Sequence, residues 1–158
     1  KMKSLFKRKR QDKTDYATRT NLLKSKFPRL VVRKSNKYIT AQIVESKEAQ
    51  DKTICLINSK ELSKQGWTSS FKNVAAAYLL GILIAENAKE KGIKKAILDF
   101  ARYTSTKESK IYGVVKSVIK NGPEISSDPK MLPKENRIYG EHLKDHEKIK
   151  KIKEKNLK

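Results

Sequence analysis

Two histidines and one aspartate are the residues of this sequence that most resemble parts of a metal or catalytic site. His142 and His146 are spaced four apart, so a helix would place both on one face, where they could ligate a metal ion. Their string HLKDH lacks the glutamate of a HExxH motif, and no cysteine cluster completes a zinc site. Asp99 is the only acid inside a predicted core strand, whereas metal-dependent nucleases bring at least two carboxylates together. We therefore predict no catalytic residue, no metal and no cofactor.

Electrostatic binding of a polyanion is the chemistry that the composition favours. The 158 residues include 38 Lys and Arg against 17 Asp and Glu, a net charge of +21. Residues 1–37 carry 14 basic against 2 acidic side chains, residues 38–129 carry 14 against 10, and residues 130–158 carry 10 against 5. A compact chain with this charge repels itself, and a bound polyanion relieves the repulsion. Nucleic acid and an acidic membrane surface are the candidates.

The basic N-terminus mixes cations with aromatic rings. Phe6 and Tyr16 are interleaved with Lys3, Lys7, Arg8, Lys9, Arg10, Lys13 and Arg19. Cations neutralise phosphates and aromatic rings stack on bases, so the mixture favours nucleic-acid binding over a merely solubilising tail. Composition leaves the choice between RNA and DNA open.

Neither a membrane nor a small-molecule substrate is predicted as a partner. The longest nearly unbroken apolar run, Val74 to Ala85, is shorter than the ~20 residues that a spanning helix needs. The sequence has no Gly-rich phosphate loop. The single cysteine, Cys55, cannot form an internal disulfide, which fits a reducing cytosol.

Hydrophobic periodicity predicts the elements that must position these residues. Residues 1–13 have no helical or strand period and are expected to be extended or disordered on their own. A helix capped by Thr14 or Asp15 follows, with Tyr16, Thr20 and Leu23 on one stripe. Strands are predicted at Arg29–Arg33, Tyr38–Val44, Thr53–Ile57 and Ala96–Phe100, the last of them parallel to a neighbour.

Two further helices complete the predicted domain. One begins after Asn73 and is apolar nearly all round, so it must be buried against a sheet. The other places Ile111, Val114, Val115, Val118 and Ile119 on one stripe and ends at Gly122-Pro123. The predicted fold class is α/β: a layered domain with a mixed β-sheet flanked by helices, a basic N-terminal extension and a Lys-rich helical C-terminal tail. The expected boundaries are 1–26 for the extension with its short helix, 27–128 for the α/β domain and 129–158 for the tail.

Six strings make the function more specific. KTDYATRTNLLKS, PRLVVRKSNKYITAQIVE, QGW, NVAAAYLLG, GIKKAILDFA and RIYGEH occur in this order between about Lys7 and His142. Together they resemble the archaeal type of the ribosomal protein family that binds 5S rRNA, the eighteenth large-subunit protein in the bacterial naming. The resemblance implies a cytoplasmic protein of the large ribosomal subunit. Its implied partners are 5S rRNA, large-subunit rRNA and a neighbouring 5S-binding ribosomal protein in the central protuberance.

The resemblance also implies which residues face RNA. The N-terminal motif falls on Lys13, Thr14, Asp15, Tyr16 and Arg19. The strand-turn-strand motif falls on Arg33, Lys34, Ser35, Lys37 and Gln42, and Asn73 opens the long helix. A basic loop falls on Thr106, Lys107, Ser109 and Lys110, and the C-terminal signature on Arg137, Ile138, Gly140, Glu141 and His142.

The basic loop departs from the family in two ways. Ala101 and Glu108 stand where the family often has glycine, so the backbone path of the loop is open. Lys107 and Lys110 replace the usual arginines, and lysine keeps the charge but loses the planar fork of donors. Contacts there are expected to be with phosphates. Two alternatives to the ribosomal interpretation are an RNA-processing enzyme with an α/β core and a free RNA chaperone.

Overall fold

The structure, a computed structural model, describes residues 6–11, 14–47 and 50–140. Its helices and strands are α1 (Lys7–Arg10), α2 (Tyr16–Lys24), β1 (Arg29–Lys34), β2 (Ile39–Lys47), β3 (Gln50–Asn58), α3 (Val74–Glu90), β4 (Ile97–Asp99), α4 (Lys110–Asn121) and α5 (Glu135–Tyr139). Two 3-10 helices, Ser59–Gln65 and Pro129–Met131, lie in the connections. The order from α2 to α4 is the predicted one, whereas the short helices were not predicted.

The four strands form one mixed sheet in the order β3-β2-β1-β4. β1 and β2 pair antiparallel, as do β2 and β3. β4 pairs parallel to β1, with Leu98 opposite Leu30, because α3 carries the chain from one edge of the sheet to the other. The prediction of an α/β fold with a mixed sheet is confirmed.

The inner face of the sheet carries the alternating apolar residues and packs against α3 and α4. Ile39, Ala41 and Ile43 are all buried, as their spacing predicts. The two helices cross closely at Gly81, where a Cβ atom would lie 2.6 Å from the carbonyl oxygen of Val114. Ile119, at the C-terminal end of the predicted α4 stripe, is 39% exposed, so the stripe is fully buried only as far as Val118.

The N-terminal segment differs in two places from the prediction. Lys7–Arg10 form one helical turn, so this part of residues 1–13 is not extended. Asp15 caps α2 as predicted, accepting hydrogen bonds from the amides of Ala17 and Thr18. Thr20 does not join a buried stripe, since it is exposed and its hydroxyl donates to the Tyr16 carbonyl 2.7 Å away. Residues 1–5, 12–13, 48–49 and 141–158 lie outside the described ranges.

Candidate nucleic-acid interface

The outer face of the sheet carries a polar cavity of about 240 Å³, which we call the arginine face. It is lined by Arg8, Thr14, Asp15, Thr18, Arg19, Leu22, Arg29, Val31, Arg33, Gln42, Val44, Asp51, Asp99, Ala101 and Arg102. Five of the seven arginines in the sequence are in this set. A guanidinium group presents two parallel N–H donors that match a pair of phosphate oxygens or the edge of a base. The ammonium group of lysine has no such planar pair of donors. Half of the predicted N-terminal and strand motif residues are among those that line the cavity: Thr14, Asp15, Arg19, Arg33 and Gln42.

Strand alternation explains why the arginines converge. Arg29, Val31 and Arg33 alternate along β1 with the core residues Leu30 and Val32, so they lie on the opposite face of the sheet. The β1–β2 register places Gln42 opposite Val31. Thr18, Arg19 and Leu22 of α2 line the same cavity, so α2 lies over this part of the sheet. The sequence places these side chains on separate elements, and the sheet register brings them together.

Asp99 is held between two of the arginines. Its carboxylate lies 3.1 Å from the guanidinium of Arg29 and 3.4 Å from that of Arg33. It also accepts a hydrogen bond of 2.7 Å from the amide of Ala101. These contacts occupy both oxygens, so Asp99 acts as a structural anion. Within the described ranges, no group of three or more His, Cys, Asp or Glu residues could hold a metal ion.

Asp51 links the sheet to α2. One carboxylate oxygen lies 2.8 Å from Arg19 and the other 2.9 Å from Arg29, and Ser46 donates a further hydrogen bond to it. Burial raises the pKa of Asp51, but the Ser46 hydrogen bond and the charge of Arg29 lower it more, so the pKa lies below the ordinary aspartate value. The carboxylate is therefore ionised at neutral pH.

A second surface, which we call the lysine cleft, lies where the β1–β2 turn meets the loop before α4. It is lined by Lys34, Ser35, Asn36, Lys72, Val74, Tyr103, Thr106, Lys107, Glu108, Ser109, Lys110, Ile111 and Arg137. A smaller pocket that shares Lys72, Lys110 and Arg137 includes Asn73. Four segments that are far apart in sequence thus contribute cations to one place. An anion is the partner that such a cleft fits.

The charges in the lysine cleft affect one another. Burial lowers the pKa of Lys110, and repulsion from Lys72 and Lys34 lowers it further. The ammonium group of Lys34 lies 4.7 Å from the ring centre of Tyr103, which is a cation–π contact. Only Glu108 supplies an opposing charge among the lining residues, and it lies 3.4 Å from Arg137.

Ala101 and Glu108 both have a left-handed backbone, with φ values of 53° and 55°. In the family that the sequence resembles, these two positions are often occupied by glycine. This conformation costs about 1–2 kcal/mol for a residue with a side chain. Hydrogen bonds hold it in place: the Ala101 amide donates to Asp99, and the Glu108 amide donates to the Met131 carbonyl 2.9 Å away. The loop therefore keeps a glycine-type path without glycine, and it reaches the lysine cleft.

Several predicted residues lie outside both surfaces. Lys7, Lys9 and Arg10 are exposed on α1, and Lys37 is exposed in the β1–β2 turn. The rings of Phe6 and Tyr16 contact each other, with centroids 5.5 Å apart. Lys3, Lys13, His142 and His146 lie outside the described residues.

Two predicted RNA-facing residues have structural tasks. The side chain of Asn73 accepts a 2.6 Å hydrogen bond from the Ala76 amide and so caps α3. Gly140 ends α5 with a φ of 61°, a conformation that favours glycine. Conversely, four residues that the sequence analysis did not single out also line these surfaces: Arg29, Asp51, Lys72 and Arg102. The alternation of charged and apolar residues in RLVVR was the available signal for Arg29.

Comparisons with known proteins identify the family. Residues 1–95 match the family described as ribosomal large subunit proteins 60S L5 and 50S L18. The large ribosomal subunit protein uL18 of Korarchaeum cryptofilum is 47% identical over 87% of this chain and 71% of its own length. The proteins of the same name from Caldivirga maquilingensis and Methanoregula boonei are 42% and 40% identical over 87% of this chain, covering 67% and 79% of their lengths.

These matches bear on two further predictions. Proteins of this family are structural components of the ribosome, which confirms the predictions of a non-enzymatic, cytoplasmic protein. Separately, no helix within the described ranges has the length and apolar character to cross a membrane. The family match covers more than half of the chain and includes α2, the whole β1–β3 meander and α3. The chain therefore belongs to the large-subunit ribosomal protein family that includes uL18.

Proposed function

We propose that this chain binds 5S rRNA and helps attach it, with a neighbouring 5S-binding ribosomal protein, to the large-subunit rRNA in the central protuberance. Family membership supports a structural role in the large subunit. The observation that carries the RNA-binding part is the convergence of cations from separate segments on the arginine face and in the lysine cleft. Surfaces of this kind bind a polyanion without any need for a catalytic group.

The two surfaces suit different groups of an RNA molecule. The lysine cleft offers compact ammonium charges, which suit phosphates, and its occupation by RNA relieves the repulsion around Lys110. The arginine face offers planar donors beside the half-buried amide of Gln42, a combination that reads base edges or paired phosphate oxygens. Arg33 faces the first surface and Lys34, the next residue of β1, lines the second. One RNA passing the end of β1 can therefore engage both.

The proposal predicts a preference among RNAs of similar charge. Purified protein should bind 5S rRNA at least about tenfold more tightly than a tRNA at moderate salt, because a generic polycation cannot distinguish them. Competition binding with both RNAs measures the ratio. Equal affinities would contradict 5S recognition and leave a non-specific RNA binder.

Co-sedimentation separates the ribosomal role from that of a free RNA chaperone. A structural protein of the subunit should remain with large-subunit particles through a high-salt wash, and 5S rRNA should be the RNA that co-purifies with it. Release of the protein into the soluble fraction, with mixed RNA bound, would favour the chaperone.

The charges of the β1–β2 turn should serve binding rather than folding. Replacing Lys34 and Lys37 with Gln should weaken 5S binding several-fold, while the free energy of unfolding falls by no more than about 1 kcal/mol, the scale of an exposed cation–π contact. The turn is held by Ser35, whose amide and hydroxyl donate to the Tyr38 carbonyl at 2.8 and 3.0 Å. Denaturant unfolding and RNA titration measure the two effects.

A matched control removes two charges elsewhere. Lys60 and Lys64 are exposed on the 3-10 helix Ser59–Gln65, outside both surfaces. Their replacement with Gln changes the net charge equally and should leave 5S affinity within about twofold. A large loss of stability in the turn variant would show that the turn lysines are structural.

A further inference from the structure

Asp51 is an acid on a surface that is otherwise rich in arginine. It lines the arginine face together with Arg19 and Arg33, and its side chain is 34% exposed. A carboxylate on an RNA-binding surface repels phosphates. If Asp51 had no other task, its neutralisation would strengthen binding to every RNA.

The contacts of Asp51 connect α2 to the sheet. α2 has no fully buried residue, so apolar packing alone holds it weakly on the sheet. Arg19 of α2 lies 2.8 Å from one oxygen of Asp51, while Arg29 and Ser46 hydrogen bond to the other oxygen. Arg29 is itself fixed by Asp99 at 3.1 Å and is 4% exposed. Asp51 therefore ties α2 to a rigid, buried anchor.

We propose that Asp51 is a positioning residue for RNA recognition, which holds Arg19 and α2 against the sheet so that the arginine face meets RNA in one fixed arrangement. The inference rests on the proposed function, since it concerns how the same surface recognises 5S rRNA. The side chain of Arg19 is 40% exposed, so one edge of its guanidinium can contact RNA while the other is held by Asp51. A donor oriented in advance binds more tightly because less conformational entropy is lost on binding.

Neutralising Asp51 tests the proposal through opposite effects on two RNAs. In Asp51→Asn, affinity for 5S rRNA should fall about tenfold, because Arg19 and α2 lose their anchor. Affinity for a tRNA, which depends on net charge, should stay constant or rise about twofold. Stronger binding to both RNAs would overturn the inference.

Glu45→Gln is the matched control. Glu45 lies on β2 beside Ser46 and pairs with Lys47 at 3.6 Å, outside the arginine face. Its neutralisation changes the net charge by the same amount and should strengthen binding to both RNAs slightly. An equal loss of 5S affinity in this variant would show that the effect is not specific to Asp51.

Two further variants test how Asp51 acts. Ser46→Ala removes the Ser46 hydrogen bonds to Asp51 and Arg29 without a change in charge and should weaken 5S binding several-fold. Unchanged 5S affinity in Ser46→Ala would overturn the inference even if Asp51→Asn did not fold. In the Arg19→Gln background, Asp51→Asn should cause no further loss, whereas additive losses would show that Asp51 does not act through Arg19. If the wild-type protein shows no preference for 5S rRNA, the proposed function fails instead.

Discussion

Deleting residues 1–13 should lower the dependence of RNA affinity on salt by about 2–4 units in the slope of log K against log salt concentration. The deleted segment contains seven Lys and Arg against one acid, Asp12. Each neutralised phosphate contributes roughly 0.7–0.9 units, and we expect about half of the seven cations to contact phosphates. Binding measured across a salt series for the full-length and shortened chains gives the two slopes.

The deletion should leave part of the preference for 5S rRNA intact. The lysine cleft and most of the arginine face lie on residues that remain. Replacing Lys7, Arg8, Lys9 and Arg10 with Gln is the matched control, since it removes four charges and keeps the chain length. This variant should lose more than half of the slope that the deletion loses. An unchanged slope in both would mean that the N-terminal segment is a solubilising tail.

Replacing Asp99 with Ala should lower the free energy of unfolding by about 3 kcal/mol, the lower end for breaking a buried ion pair, because the buried guanidinium of Arg29 loses one of its two carboxylate partners and keeps Asp51. The guanidinium of Arg29 has a side-chain exposure of 5%, so water cannot replace the lost carboxylate. The variant also removes the acceptor for the Ala101 amide, which supports a left-handed residue. Denaturant unfolding monitored by circular dichroism measures the change.

Glu124→Ala is the control, because it removes an ion pair that is exposed rather than buried. Glu124 lies 3.2 Å from Lys95, with both side chains more than half exposed, and exposed pairs of this kind contribute about 0–1 kcal/mol. The contrast between the two variants isolates the effect of burial. A change below about 1 kcal/mol in Asp99→Ala would show that Asp51 and Ser46 suffice to hold Arg29.

The elements of this fold could largely be predicted from the sequence because they depend on local patterns. Ile39, Ala41 and Ile43 alternate with polar residues, and this period alone indicates which face of β2 is buried. Asp15 and Asn73 stand where helices begin, and both side chains accept hydrogen bonds from the first helical turn. The uneven charge and the ordered motif strings, which are also properties of the sequence, indicated a ribosomal RNA-binding protein.

Long-range contacts explain what the sequence reasoning missed. Asp99 was weighed as a candidate catalytic acid, yet it neutralises arginines that precede it by 70 and 66 residues. Asp51 lies in a short exposed segment, where the pattern of polar and apolar residues does not indicate any contact for its side chain. The contacts of Asp51 depend on the β2–β3 register and on where α2 lies. Ile119 fits the apolar stripe of α4 but extends beyond the area that its neighbours cover.

The sequence by itself therefore determined the order of the main elements from α2 to α4, the buried face of β2 and the strongly basic character of the chain. Only the tertiary structure decided which cations share a surface: Lys34, Lys72, Lys110 and Arg137 meet in one cleft although they span more than a hundred positions. The physical reason is that periodicity is set within a few residues, whereas a surface depends on strand pairing and helix packing between distant segments. The sequence therefore sets how many cations the protein has, and the fold sets where those cations lie relative to one another.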